Sequence, residues 1–161
     1  RDRSVSRGLG DVYKRQGLYD PANEPDIAYA HLFSYFKGEE WRTQKETQRL
    51  LDKYFTTKPD GIPGNDDTGT MSAWAIFNMI GFYPDCPGLP EYTLTTPVFN
   101  KVTIRLDPKW YKENELVIES NRTGSETLYI NKVLLDGKKF NKYRITHDEL
   151  VHGKRLIFDL K

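Results

Sequence analysis

With Cys86 as its one cysteine, the 161-residue chain cannot form an internal disulfide. That cysteine lies between Asp85 and Pro87 with no activating base beside it, so it reads as structural. No apolar run approaches the ~20 residues needed to span a bilayer, and no signal-peptide pattern is present. The three histidines, His31, His147 and His152, are too scattered to suggest a metal cluster. Internal repeats and low-complexity tracts are absent. What remains is an ordinary soluble balance, 37% hydrophobic and 29% charged, with room for one domain or two small ones. Ten tyrosines, eight phenylalanines and three tryptophans imply a ring-rich core or a carbohydrate-binding face.

Excess positive charge is confined to the first 16 residues. These carry five of the 24 Lys and Arg but two of the 23 Asp and Glu, a net +3, and the rest of the chain is net −2. Residues 1–16 show neither helical nor strand periodicity. They read as a disordered or foreign leader rather than a basic arm for nucleic acid, so no nucleic-acid partner is expected.

Helical signals fill residues 17–92. Pro25, preceded by Glu24, suits the first turn of a helix over Asp26–Phe36 that Gly38 stops. Thr43-Gln44-Lys45-Glu46 has the form of a capping box opening a second helix to about Phe55. A third helix is expected over Thr70–Ile80, ended by Gly81. It is apolar nearly all the way round, which predicts burial on every side. Beyond Tyr92 the period changes to two. Alternation at 102–106, 116–119, 128–130 and 155–160, with a hairpin signal at Asp136-Gly137, predicts a small antiparallel β region over 93–161. Thr146–Leu150 reads as a short helical turn. The fold class is therefore α+β. Three helices and a small sheet cannot bury the third helix completely, so the chain reads as the tail of a larger helical domain followed by a β region.

Between the second and third helices lies Gly64-Asn65-Asp66-Asp67-Thr68-Gly69, a glycine-flanked turn with three oxygen-bearing side chains. Adjacent aspartates point in different directions, so one can act while the other holds the loop. Carboxylate and amide oxygens suit a hard cation such as calcium, although Asp60, Asn65 and Asp67 do not fit EF-hand spacing. A held carboxylate can equally orient water as a general base. The plainer alternative is a turn that caps the third helix through Asp67 or Thr68.

An ordered series of motifs resembles glycoside hydrolase family 92. It comprises Asn23-Glu24-Pro25, Trp41-Arg42-Thr43-Gln44, Pro59 through Trp74, Gly81-Phe82-Tyr83-Pro84, Pro87-Gly88 and Pro97 through Ile104. The series covers residues 17–161 and leaves 1–16 without a counterpart. The resemblance implies a calcium-dependent exo-α-mannosidase that inverts the anomeric centre. It implies that residues 17–92 are the last helices of an (α/α)6 toroid and 93–161 the C-terminal β structure. Inversion needs two carboxyls ~6.5–9.5 Å apart, one acid and one base. The resemblance makes Asp67 the base. The position two before it often carries a second aspartate that helps hold the water. Here it is Asn65, which hydrogen-bonds but carries no charge. Asn23, Glu24 and Asp67 become calcium-ligand candidates. Asn23, Glu24, Asp66 and Gln44 are substrate-binding candidates. Trp74 reads as core, and so does Trp41, with stacking on a sugar as its alternative.

The family's general acid lies far upstream of Asn23, so the isolated chain is expected to be inactive. A mannose-containing glycan and the upstream part of the same polypeptide are the implied partners, in a secreted, periplasmic or cell-surface setting. The competing reading is a non-enzymatic carbohydrate- or calcium-binding module that uses the 93–161 sheet as its binding face.

Overall fold

The computed structural model describes residues 26–122, 124 and 127–161. Asn23, Glu24, Pro25 and the leader lie outside them. The first described element is a 3-10 helix, Tyr29–Tyr35, where an α-helix over 26–36 is expected. Two inward bonds anchor it. His31 Nε2 lies 3.0 Å from Asn78 Oδ1, and Ser34 Oγ lies 3.2 Å from Thr93 Oγ1. Residues three apart fall in line on a 3-10 helix and not on an α-helix.

Helix α1, Glu40–Tyr54, begins three residues before Thr43. Gly38 turns the chain at φ 90° and its N–H donates to Glu40 Oε2 at 2.8 Å. Thr43 is thus already inside the helix and buried, and Glu46 accepts from Arg49 Nε at 2.7 Å. The capping box expected at Thr43–Glu46 does not form. One does form at the other end of the chain, where Thr146 and Glu149 cap helix α3, His147–His152, reciprocally.

Helix α2, Thr70–Ile80, matches its expected bounds. Gly69 and Gly81 flank it at φ 92° and 116°, a conformation that disfavours any side chain. Gly81 is also tightly packed, since a Cβ there would lie 3.2 Å from Pro97 Cβ. Met71, Trp74, Ala75 and Asn78 are buried. The opposite face is not, as expected where three helices and a small sheet cannot cover it: Ala73 is exposed and Ile76 is 52% exposed.

Strands β1 (Phe82–Tyr83), β2 (Glu91–Leu94) and β7 (Arg144–Thr146) make a three-stranded antiparallel sheet. Strands β3 (Lys101–Arg105), β4 (Glu115–Arg122), β5 (Ile130–Leu135), β6 (Lys138–Phe140) and β8 (Arg155–Leu160) make a second, in the order β3-β4-β8-β5-β6. The antiparallel pairing expected holds in every ladder but β4–β8, which is parallel. The connection from β4 through β5, β6, β7 and α3 is long enough to return the chain in the same direction. The Asp136-Gly137 hairpin joins β5 to β6 with both residues at positive φ, 52° and 77°, the geometry of a type I′ turn. No strand covers Leu128 and Tyr129, whose N–H groups both donate to the Lys161 carbonyl.

Two cores result. Leu50, Leu51, Met71 and Trp74 anchor the helical one; Leu116, Ile118, Leu156 and Phe158 anchor the β one. Strand β2 runs across residue 92, where the hydrophobic period changes. The segment after it fastens to the end of α2, through Thr95 N–H to Gly81 O and Val98 N–H to Met79 O, each 2.9 Å.

Candidate active site

The loop from Thr56 to Gly69 joins α1 to α2. Its base closes where Thr56 N–H donates to Gly61 O and Gly61 N–H to Lys58 O, each at 2.9 Å. Gly61 is obligatory there, because a Cβ would sit 2.1 Å from Thr56 O.

At the far end of the loop, α2 has three N–H groups with no partner inside the helix. Thr70 N–H donates to Asp67 O at 3.2 Å and Met71 N–H to Asp66 O at 3.2 Å. Ser72 N–H donates to Asp66 Oδ1 at 2.7 Å, and Ser72 Oγ donates to Asp66 Oδ2 at 2.8 Å. The first bond within the helix, Ala73 N–H to Gly69 O, follows at 2.8 Å. The capping side chain is therefore Asp66, not Asp67 or Thr68. Asp67 contributes its carbonyl, which also accepts from Thr70 Oγ1 at 2.7 Å.

This division leaves the Asp67 carboxylate exposed, with no hydrogen bond or ion pair among the described residues. It also imposes strain. Asp67, Thr68 and Gly69 are left-handed in succession, at φ 46°, 62° and 92°. Aspartate tolerates this region moderately, and a β-branched threonine is a genuine outlier in it. Each such non-glycine residue costs about 1–3 kcal/mol. Hydrogen bonds to a charged group contribute about 1.5–3 kcal/mol each, so the Asp66–Ser72 pair is of the right size to hold the turn. Strain of this kind concentrates at working sites.

The other candidates fall elsewhere. Asn65 is exposed on the same loop as Asp67. Gln44 does not line open space as expected. It is 2% exposed, and its Oε1 accepts the Ile130 N–H at 2.9 Å, fastening α1 to β5. Trp74 is core as expected, with Nε1 donating to Ile27 O at 3.1 Å. Trp41 is not, being 42% exposed and edge-on to Tyr129. Asn23 and Glu24 lie outside the described residues. Among the described residues no group of three His, Cys, Asp or Glu could hold a metal ion. The oxygens of Asn65 and Asp67 suit calcium in kind, but the described residues are too few to surround it.

Two groups escape the sequence reading. Ser72 is one, and its signal is a hydroxyl in the first turn of a mostly apolar helix, just after the acidic turn. The other is the pair His31–Asn78. Asn78 Nδ2 donates to Trp74 O at 2.8 Å, so its Oδ1 must accept and His31 Nε2 must carry the proton. His31 Nδ1 has no partner among the described residues. Burial pushes the imidazole down to about 4, against a smaller upward pull from Asn78.

The chain matches the catalytic domain of glycosyl hydrolase family 92 over residues 3–161. This match takes in most of the 1–16 leader, which the motif series leaves without a counterpart. A family GH92 α-mannosidase of Bacteroides thetaiotaomicron, solved with mannoimidazole, is 33% identical and superposes with a TM-score of 0.81 over 90% of this chain. A family GH92 inverting mannosidase of the same organism is 35% identical, with a TM-score of 0.78 over 93%. A curated protein of Arthroderma benhamiae, named as an uncharacterized secreted glycosidase, is 29% identical over 134 residues, 83% of this chain. The chain spans 18%, 20% and 17% of these three proteins respectively. A family match running through nearly the whole chain, and two solved members that superpose on it at about one-third identity, make this chain a member of glycosyl hydrolase family 92.

Proposed function

We propose that this chain is the closing part of the catalytic domain of an inverting exo-α-mannosidase, with Asp67 as the general base. One observation carries the assignment: Asp66 caps α2 and so leaves the Asp67 carboxylate exposed on a strained turn. The two solved relatives, named as an α-mannosidase and an inverting mannosidase, supply the substrate class and the stereochemistry.

In this reading Asp67 takes a proton from water as the water oxygen bonds to the anomeric carbon. The bond to the leaving oxygen breaks as that oxygen receives a proton from an acid outside this chain. Asn65 helps orient the water through its amide. Asp66 keeps its holding role and does not contact sugar. Calcium belongs to the same proposal, with Asn23, Glu24 and Asp67 as its ligands from this chain. Bound there, the ion would supply positive charge for holding sugar hydroxyls at the site. In the same reading the 26–92 helices close an (α/α)6 toroid, and the intact protein is exported, in keeping with the secreted relative.

The test is Asp67→Asn in the intact enzyme. Turnover of an α-mannoside should be abolished, and affinity for a mannose-like iminosugar should stay near that of the parent. Near-normal kcat in this variant would end the base assignment.

A further inference from the structure

We infer that Ser72 is a positioning residue for the Asp67 carboxylate, acting through Asp66. The inference rests on the base reading above and extends it to a side chain that touches neither water nor sugar.

Ser72 is the only residue whose side chain holds the Asp66 carboxylate among the described residues, and it holds both oxygens, one by Oγ and one by its N–H. The Asp66 carbonyl in turn accepts from Gly69 N–H at 3.0 Å and Met71 N–H at 3.2 Å. These four bonds bracket the left-handed run at 67–69. The run cannot relax without breaking one of them, because Asp66 stands on its near side and Met71 and Ser72 on its far side. The run also decides which aspartate faces solvent. If the Asp66 carboxylate lost its hold on the helix, the uncapped Ser72 N–H would offer itself to the next acceptor along, the Asp67 carboxylate. A carboxylate drawn back to cap the helix could no longer reach a water. Ser72 thus keeps two chemically identical neighbours in different roles.

Its position fits this function better than a packing role. Ser72 is half-buried and flanked by Met71, which is buried, and Ala73, which is exposed. Alanine would fill its space equally well, so the hydroxyl is there for Asp66.

The experiment uses the intact enzyme with Ser72→Ala, Ser72→Thr and Asp67→Asn side by side. Ser72→Ala should lower kcat by about 10²-fold, the usual cost of misplacing a reacting group by an ångström, with KM within about twofold of the parent, since uniform binding is untouched. Ser72→Thr restores the hydroxyl and should recover most of the loss. Ser72→Ala with unchanged kcat, in an enzyme that Asp67→Asn inactivates, overturns this inference and leaves the base reading standing. Asp67→Asn with unchanged kcat overturns both. A kcat loss in Ser72→Ala that Ser72→Thr does not recover also overturns it, because the hydroxyl would then not be the cause. If Ser72→Ala fails to fold, Ser72→Thr and Ser72→Cys decide. Near-parental kcat in the first and a large loss in the second support the inference, and equal values in both refute it.

Discussion

The side-chain oxygen of Gln44 accepts the backbone N–H of Ile130 at 2.9 Å, joining two residues 86 positions apart. Both are buried, so the bond ties the helical part of the chain to the strands with no water to replace it. Gln44→Ala strands a buried N–H and should cost about 1–3 kcal/mol. Urea melts of the chain measure this, and an unchanged midpoint would show that the bond contributes nothing.

The buried His31 makes stability depend on pH. Its folded value of about 4 lies below the ordinary 6.5, so between those values the unfolded chain binds the proton and the folded chain does not. The full stabilisation is present above about pH 6.5, declines as pH falls toward 4, and is level below that. The loss between pH 7 and pH 5 should be on the order of 2 kcal/mol. His31→Gln keeps a donor for Asn78 and removes the titration, so its stability should change much less over that interval. Equal pH slopes in the two proteins would refute the account.

Ile76 stands 52% exposed on a helix that is otherwise apolar. Ile76→Ser should therefore change the melting of this chain by less than about 0.5 kcal/mol, as surface substitutions do. In the intact enzyme, if further helices of a toroid cover that face, the same change should cost about 2–4 kcal/mol. Similar small effects in both would mean that the face is never covered.

If the general acid, a step worth about 10²–10⁴-fold in rate, is supplied by another part of the polypeptide as proposed, the isolated chain should not turn over an activated α-mannoside. Detectable release of the leaving group by the chain alone would contradict the assignment of the acid to another part of the polypeptide.

Calcium should raise the melting temperature of the chain relative to chelator, and a mannose-like iminosugar should add to the effect, because ligands that bind only the folded state stabilise it. Asp67→Asn, whose amide oxygen still suits calcium, should leave the calcium response mostly intact. A melt indifferent to calcium would remove Asn23, Glu24 and Asp67 from the ligand set within this chain.

Several elements were legible because their causes are local. Glycine at 69 and 81 bounds α2 in sequence as in space, and Asp136-Gly137 makes its hairpin from two residues alone. The alternation at 155–160 becomes β8 unchanged. The Gly64–Gly69 turn was equally visible, including the principle that one aspartate holds while the other acts. The resemblance named Asp67 as the base; that Asp66 is the one that caps the helix was not visible, because it depends on a hydroxyl six residues further on. Thr43–Glu46 has the letters of a capping box, but the Gly38 turn starts the helix earlier and takes those residues inside it.

The amino-acid sequence by itself determined the family, the α+β order of elements, the ends of α2 and the acidic turn ahead of it. These follow from glycine conformations, periodicities and motifs that act over a few residues. Tertiary structure alone decided that the first helix winds as 3-10, that β4 and β8 run parallel, that Gln44 fastens a strand, and that Asp67 rather than Asp66 is left free. Each of these depends on a partner brought close by folding. Asn78 answers His31, Ile130 answers Gln44, and Ser72 answers Asp66. Hydrogen bonds and burial reward proximity in space, and no spacing along the chain records it.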